Sequence, residues 1–574
     1  MILYNHAKSI VMGKTDRFYY LLLVIVSAFF TADLFISRFL PATMDGLIHI
    51  ATIAQFSDVL MQGDFPVIWL NNFANYGLPV GLFSHQLPIY LGAIITIITR
   101  DPVFSTNIVT LIGITGANIL FYKFLRIYFP ATPSFLATIV FSLAPYRILN
   151  VYIRGAIPET FSLLFLPLIL IVLHRVFVLK KLNSLFLLIL VFIGLTLTHP
   201  MMVLIYSFFI VPYFIFLIWG RAKVSEKKLW LRAYLPPILI LLSSGLVALG
   251  VASYYIIPLV IEKKYFYFGQ YSTLFNNSFL GFSNFIDFRW HYLLGSDIFT
   301  RAHTLQVGII ESLVLLIGII FLLREIFVKK KMSDSSFLAF CIISGIIIIF
   351  FLLPISSAVY RAVPILQNIQ FPWRMLSVFL IIPPMLFAIF MQRYKNPLLF
   401  YGIVLLVVII RVPELYGKNY IYYQNSFYHS NKDNLHSVNM NTIWSEKTED
   451  YSLKVRQSDI VEGKGTLIEK SISNSSRTYS VAAQTPLKMV DYTFYFPGWN
   501  VLIDNKPTSI QFQDPALRGV ITYMVPVGNH EVKIVFQDTI VRKIGKGLSI
   551  VSIGLLVLFF LLRKTVLSKV DKYV

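Results

Sequence analysis

Charge is scarce in this chain. Only 13% of its 574 residues are Asp, Glu, Lys or Arg, while 57% are hydrophobic. Soluble domains carry about twice that share of charge, so a soluble protein is excluded and a polytopic membrane protein is indicated. Cysteine is nearly absent: the single Cys341 lies in an apolar run, so no intrachain disulfide can form and any external domain must fold without one. Acidic residues are also few, 28 against 49 Lys and Arg, for a net charge of +21. Residues 413–545 hold 14 basic and 13 acidic residues and are nearly neutral, which leaves the excess in the apolar part. There it reads as positive-inside topology and contact with anionic membrane lipid, with no nucleic-acid partner. No small-residue cleavage site follows Lys8, Lys14 and Arg17, so the first apolar segment reads as a retained helix.

What is abundant is apolar runs. Twelve segments approach or reach spanning length, at about 18–36, 103–122, 132–148, 159–179, 183–198, 200–218, 233–258, 304–323, 336–354, 375–391, 397–412 and 546–562. Basic residues fall on alternate loops: Lys123 and Arg126; Arg175, Lys180 and Lys181; Arg221 to Lys228; Arg324 to Lys331; Arg393 and Lys395; Arg563 and Lys564. With the N-terminus they define one cytoplasmic side, which puts both termini in the cytoplasm. The expected location is the plasma membrane. The expected organisation is a transmembrane domain over 1–412 with an external first loop at 37–102, an external β-rich domain over 413–545, and a terminal helix and tail over 546–574. The apolar stretch Leu87–Thr99 breaks the alternation if it spans, so it reads as re-entrant or lying along the surface.

The first loop is long and polar, and loops of its length are usually functional. Asp45 and His49 are four residues apart in a run, Asp45 to Met61, that reads as an amphipathic helix, with both side chains on one face. The plain alternative is that Asp45 only caps the helix. The external side also collects His85, Arg147, Arg154, Glu159, His199, Glu262, Arg361 and Arg374, several of them beside Pro or Gly. Any one of these serves equally well as an interfacial anchor; so many on one face favour a shared polar pocket. Glu311 differs in lying inside an apolar segment, where a carboxylate is costly and marks either a functional site or a partnered structural acid.

Beyond Pro413 the pattern turns to strands. Lys488–Lys506 reads as two strands followed by a tight Asp504-Asn505-Lys506 turn, and Gly519–Phe536 as a hairpin about Gly528-Asn529. An antiparallel β-sandwich starting near Thr478 or earlier is expected. It carries no metal-ligand set and no nucleophile motif, so a structural or acceptor-binding role is expected of it. Asn276–Ser278 and Asn474–Ser476 match the short N-glycosylation pattern.

Met44–His49, Gly63–Trp69, Asn75–Pro79, Tyr146-Arg147, Tyr152–Gly155, Pro158-Glu159, Thr198-His199 and Gln370–Arg374 together resemble a group of bacterial multispanning membrane proteins. That group carries the label "6-pyruvoyl-tetrahydropterin synthase related". Nothing in the chain resembles the soluble pterin enzyme, which needs a three-histidine zinc site. Tyr495–Trp499, Asp504–Lys506 and Val525–His530 are similar to the tail of membrane proteins implicated in glycosylating lipoteichoic acid. Both groups resemble the GT-C glycosyltransferase superfamily. The resemblance implies about 12–13 transmembrane helices and sugar taken from a polyprenyl-phosphate-linked donor at the external face, with a cell-envelope glycan, lipid or polymer as acceptor. It also implies an acidic residue of the first loop acting as base or metal ligand, at the position of Asp45. Many relatives have two adjacent acids where this chain has Asp45-Gly46, which leaves a divalent cation, magnesium or manganese, open. No other cofactor is implied.

The chemistry asks for a carboxylate beside the acceptor hydroxyl and cations on the departing phosphate. Asp45 fits the first, with His49 and Glu159 as catalytic partners. Arg147, Arg154 and Arg374 fit the second, and His85, His199 and Glu311 are further substrate-binding candidates. Two other classes compete: a lipid-linked glycan flippase, which favours internal repeats and mid-membrane polar groups, and an inactive scaffold displaying the β domain.

Overall fold

The structure, a computed structural model, describes residues 13–37, 40–181, 183–222, 230–267, 278–286, 305–327, 336–394, 396–417, 420–430, 441–445, 451–452 and 454–570. Among these, seven helices are long and apolar enough to cross a membrane: Pro102–Leu125, Ile157–Phe177, Pro200–Trp219, Tyr234–Val251, Pro372–Arg393, Pro397–Glu414 and Ile540–Leu562. The number rises to nine if two bent pairs each count as one span. One pair, Ala131–Ser142 with Pro145–Arg154, bends by 44°. The other, Ser336–Leu352 with Pro354–Ala362, bends by 78°. Each break falls just before a proline, which has no N–H to continue the ladder and clashes with the preceding turn.

Three of the twelve expected spans fall short for local reasons. Lys14–Phe30 stops at Thr31 after 17 residues, and Ser184–Thr198 has only 15. Ile309–Phe327 carries Glu311, Arg324 and Glu325. Gln86–Thr99 is a 14-residue helix, about 21 Å long, well under the ~30 Å of a bilayer core. The helices share one continuous apolar core from Leu23 to Leu415. Outward-facing Leu246, Leu405, Ile409, Ile550 and Leu555 are exposed, as an apolar surround requires.

The run after Asp45 is helical, Gly46–Met61, but it is not amphipathic in place: ten of its sixteen residues are buried. The helices Gln86–Thr99, Pro102–Leu125 and Asn425–Ser430 cover it. At Gly92 a Cβ would stand 2.7 Å from Ile53 Cδ1, so the missing side chain sets the close approach of the two short helices.

Residues 458–536 form eight strands: β1 Ser458–Glu462, β2 Gly465–Ile472, β3 Ser476–Ala483, β4 Leu487–Phe494, β5 Trp499–Ile503, β6 Lys506–Thr508, β7 Val520–Val525 and β8 Gly528–Phe536. They form two antiparallel sheets, β6-β5-β8-β3-β2 and β7-β4-β1. The expected Asp504-Asn505 turn is present, with φ of 50° and 62°, and joins β5 to β6. The expected hairpin over 519–536 is not. β7 and β8 lie in different sheets, because the chain crosses over at Pro526-Val527, where Pro526 has no N–H to give a ladder, and Gly528 (φ 132°) opens β8 instead of making a turn.

The β domain is seated on the first loop. Trp69 packs on Trp499 and Phe536 at 5.3 and 5.5 Å between ring centroids. The Phe494 N–H donates to the Tyr76 carbonyl at 3.0 Å, and Asn75 is bonded to Ser452 and Lys454. Arg477, buried against Asp491 at 3.4 Å and over Trp499, donates to Asn71. Gly77 (φ 82°) lies under Trp69, where a Cβ would stand 2.7 Å from Nε1. Trp69 and Asn75–Pro79 therefore hold the domain rather than a substrate. Asn474 of the second glycosylation pattern is buried and bonded to Trp69 and Asn71; the first pattern, at 276–278, lies largely outside the described residues.

Candidate functional site

Residues 150–155 form the floor of the site. Asn150–Arg154 is a π-helical turn, a feature common at functional positions, and it ends at Gly155 with φ 64°. A Cβ on Gly155 would stand 2.4 Å from Thr43 Oγ1 and 2.7 Å from the Gly46 nitrogen, so the first loop rests directly on this backbone. The Met44 and Asp45 N–H groups donate to the Ile153 and Arg154 carbonyls at 3.0 and 2.8 Å. These contacts set Asp45 beside Arg154. Asp45 occupies the N-cap position of its helix yet makes no side-chain capping bond, so its half-buried carboxylate is not spent on the cap.

Arg154 and Arg374 meet on Glu159. Arg154 Nη1 stands 2.8 Å from Glu159 Oε2, and Arg374 Nε stands 3.8 Å from the same oxygen. Tyr146 donates its hydroxyl to Glu159 Oε1, and Asn150 accepts from Arg154 Nη1 at 2.6 Å. The Arg154 guanidinium lies 4.7 Å over the Trp373 ring, while Arg374 lies 5.1 Å over Phe371 and donates to Gln370 Oε1 at 2.9 Å. Asp45 attracts both arginines. Glu159 is thus fully engaged, and it positions two cations instead of standing free as a second base. Arg374 keeps a spare donor, since its buried Nε has no hydrogen-bond acceptor.

Three histidines close the cluster. The ring centroids of His49 and His85 are 6.3 Å apart, and those of His85 and His199 are 4.1 Å apart. Burial, with the neighbouring rings and Arg374, pushes His85 well below the usual imidazole range. Burial, with Arg374 and Arg154, does the same to His199. Burial also lowers His49, against the pull of Asp45. All three are therefore neutral at pH 7 and can donate or accept. The buried His199 Nδ1 has no partner.

Four sequence candidates lie elsewhere. Arg147 is wholly buried in the bundle, donates to Asn118 Oδ1 at 2.5 Å and stacks 4.4 Å from Phe141, so it braces helices and is not available to a headgroup. Glu311 is buried and pairs with Arg411 at 3.8 Å. Glu262 clamps Arg542 of the last helix. Arg361 is exposed and donates to Ser357. The sequence reading missed Asn150, Gln370 and Trp373. The i, i+4 spacing of Asn150 with Arg154 on one helical turn is the signal that finds the first of them.

The donors do not suit a divalent cation. Glu159 is already held by two guanidiniums, and among the described residues no group of three His, Cys, Asp or Glu side chains is placed to hold a metal ion.

Residues 93–353 match the profile of a family of unknown function (DUF6541). The similarity covers under half of the chain. It takes in Arg154, Glu159 and His199 but not Asp45, His49, His85 or Arg374. No curated protein matches the chain.

Proposed function

We propose that this chain is a GT-C-type membrane glycosyltransferase that moves a sugar from a polyprenyl-phosphate carrier to a cell-envelope glycan, lipid or polymer. The observation that carries the reading is the convergence of Asp45, Arg154 and Arg374 from three distant segments around Glu159. In the reaction the acceptor hydroxyl attacks the anomeric carbon while Asp45 takes its proton. The carbon–oxygen bond to the carrier phosphate breaks, and Arg154 and Arg374 hold the charge that develops on the phosphate. A phosphate is a good enough leaving group to need no general acid, so one free carboxylate suffices, in contrast to the pair of a glycoside hydrolase. The neutral histidines supply hydrogen bonds to sugar or phosphate without adding charge.

The site and the β domain are external in this reading, extracellular or periplasmic, with both termini cytoplasmic. Cysteines placed at 505 and 330 test the orientation: an impermeant reagent should label the first in intact cells and the second only after permeabilisation. Lipid analysis of cells lacking the protein tests the function. Accumulation of a polyprenyl-phosphate sugar is expected, and an unchanged carrier pool with an unchanged envelope glycan would refute the assignment.

A further inference from the structure

The span Ser336–Leu352 turns through 78° into Pro354–Ala362, so the chain from 354 to 369 runs across the end of that span instead of on beyond it. One side of this strap is packed. Ser356, Tyr360, Leu366 and Ile369 are buried, and the Tyr360 ring meets those of Phe351 and Phe279 at 5.8 Å each. The other side is bare: Ile355 is 73% exposed and Ile365 59%, with Ala358, Ala362 and Val363 open beside them. The chain at Ser278–Ile286 is joined to the same end of the span, where the Leu280 N–H donates to the Leu352 carbonyl at 2.9 Å. It adds Phe282, 78% exposed, and Ile286.

Together these side chains make an apolar shelf, and a shelf of that kind marks a surface that something apolar covers. Two observations identify the cover. Ile343, Ile346 and Ile347 of the span are exposed as well, and Ile355 follows them directly after the bend, so the apolar surface of the span runs on into the shelf. The charge of the strap also has one sign. Arg361 is exposed, and among the described residues its side chain donates only to Ser357 Oγ, at 3.2 Å. No Asp or Glu occurs between Asp334 and Glu414 to neutralise it. A short segment with apolar side chains and a lone unpaired cation suits the interface of an anionic bilayer. There the side chains enter the acyl boundary while the guanidinium meets phosphate.

We propose that this shelf is a docking surface for anionic membrane phospholipid, with Arg361 as the ligand of the headgroup phosphate. The strap ends at Gln370, whose Oε1 accepts from Arg374 Nη1 at 2.9 Å. Its seat in the leaflet therefore ties the height of Arg374 to that of the lipid headgroups. The shelf docks whether or not the Glu159 cluster transfers sugar.

Fluorescence quenching on the full chain in lipid nanodiscs tests this. Phe282→Cys, Ile355→Cys and Ile365→Cys, each made with the buried Cys341 changed to Ala, carry an environment-sensitive label at an exposed position. Spin-labelled lipid should quench all three labels, and aqueous iodide should quench none. At position 365, spin-labelled phosphatidylglycerol should be preferred to spin-labelled phosphatidylcholine by about fivefold, the factor that ~1 kcal/mol per basic residue at an anionic surface gives. Arg361→Gln should abolish that preference, and because Arg361 is exposed the variant keeps the fold. Quenching by iodide would put the shelf in water, and quenching by neither agent would put it under protein. Either result overturns the proposal, as does a missing phosphatidylglycerol preference or one that survives Arg361→Gln.

Discussion

Two buried carboxylates, Glu159 and Glu262, are paired with arginine in different ways. Glu262 is a closed clamp: Thr539 Oγ1 donates to one oxygen at 2.6 Å, and Arg542 Nε and Nη2 donate to the other at 2.9 Å each. Arg542 also donates to the Pro497 carbonyl at 2.8 Å, so the last helix, the Ser253–Glu262 helix and the β domain are fastened together. Glu159 faces two arginines, and one of them, Arg374, is held only loosely at 3.8 Å. A half-buried Asp45 and three neutral histidines stand beside it. A closed pair fixes structure; a cluster with a spare cation and an accessible carboxylate is equipped to take a charged ligand.

The largest expected effect separates the two regions by activity. Asp45→Asn keeps shape and should remain folded and inserted, while sugar transfer from a polyprenyl-phosphate donor falls by roughly 10²–10⁴-fold, the range for losing a general base. Near-full transfer would return Asp45 to a structural role. Glu262→Gln should do the reverse. Leaving Arg542 buried without its counter-charge costs roughly 3–5 kcal/mol, read as a lower thermal midpoint, with donor affinity unchanged in the protein that remains folded.

A subtler contrast lies in the arginines. Arg374→Lys keeps the charge but loses the planar fork, and should weaken donor binding by about tenfold, ~1.4 kcal/mol. The measurement is donor affinity of the purified chain, and an unchanged value would make Arg374 an interfacial anchor. The smallest effect is on pH. Because His85 and His199 have folded pKa values below their unfolded ones, their contribution to stability is complete above pH ~6.5 and is lost as pH falls below it, when the unfolded state binds protons the folded state refuses. The thermal midpoint should therefore decline from pH 6.5 to 5, and less steeply in His85→Gln. Equal slopes in the two proteins would contradict the burial of that ring.

Much of this was legible in the residues. The Asp504-Asn505 turn follows from two residues that tolerate positive φ, and the apolar runs follow from composition. Arg147 and Arg154 show where legibility ends. Both border the same turn and both are basic residues near Pro or Gly, yet one is sealed against Asn118 and the other faces Glu159. The π turn at 150–154 lies between them and rotates them apart, and that rotation is not written in residue type. In the same way, Trp69 and Asn75–Pro79 lie in a long polar loop that reads as functional, while their partners in β5 and β4 lie more than 400 residues away.

By itself the sequence determined a helical chain with many apolar segments, a C-terminal antiparallel β domain, and ionisable groups gathered near the segment ends, because run length and alternation are local properties that solvent partition acts on directly. Only the tertiary structure decided which carboxylate is clamped and which stands open, that β7 and β8 part into different sheets, and that the first loop is the seat of the β domain. Those outcomes depend on which buried charge meets which partner across the fold. In a low-dielectric interior that pairing governs the energy of every ionisable group.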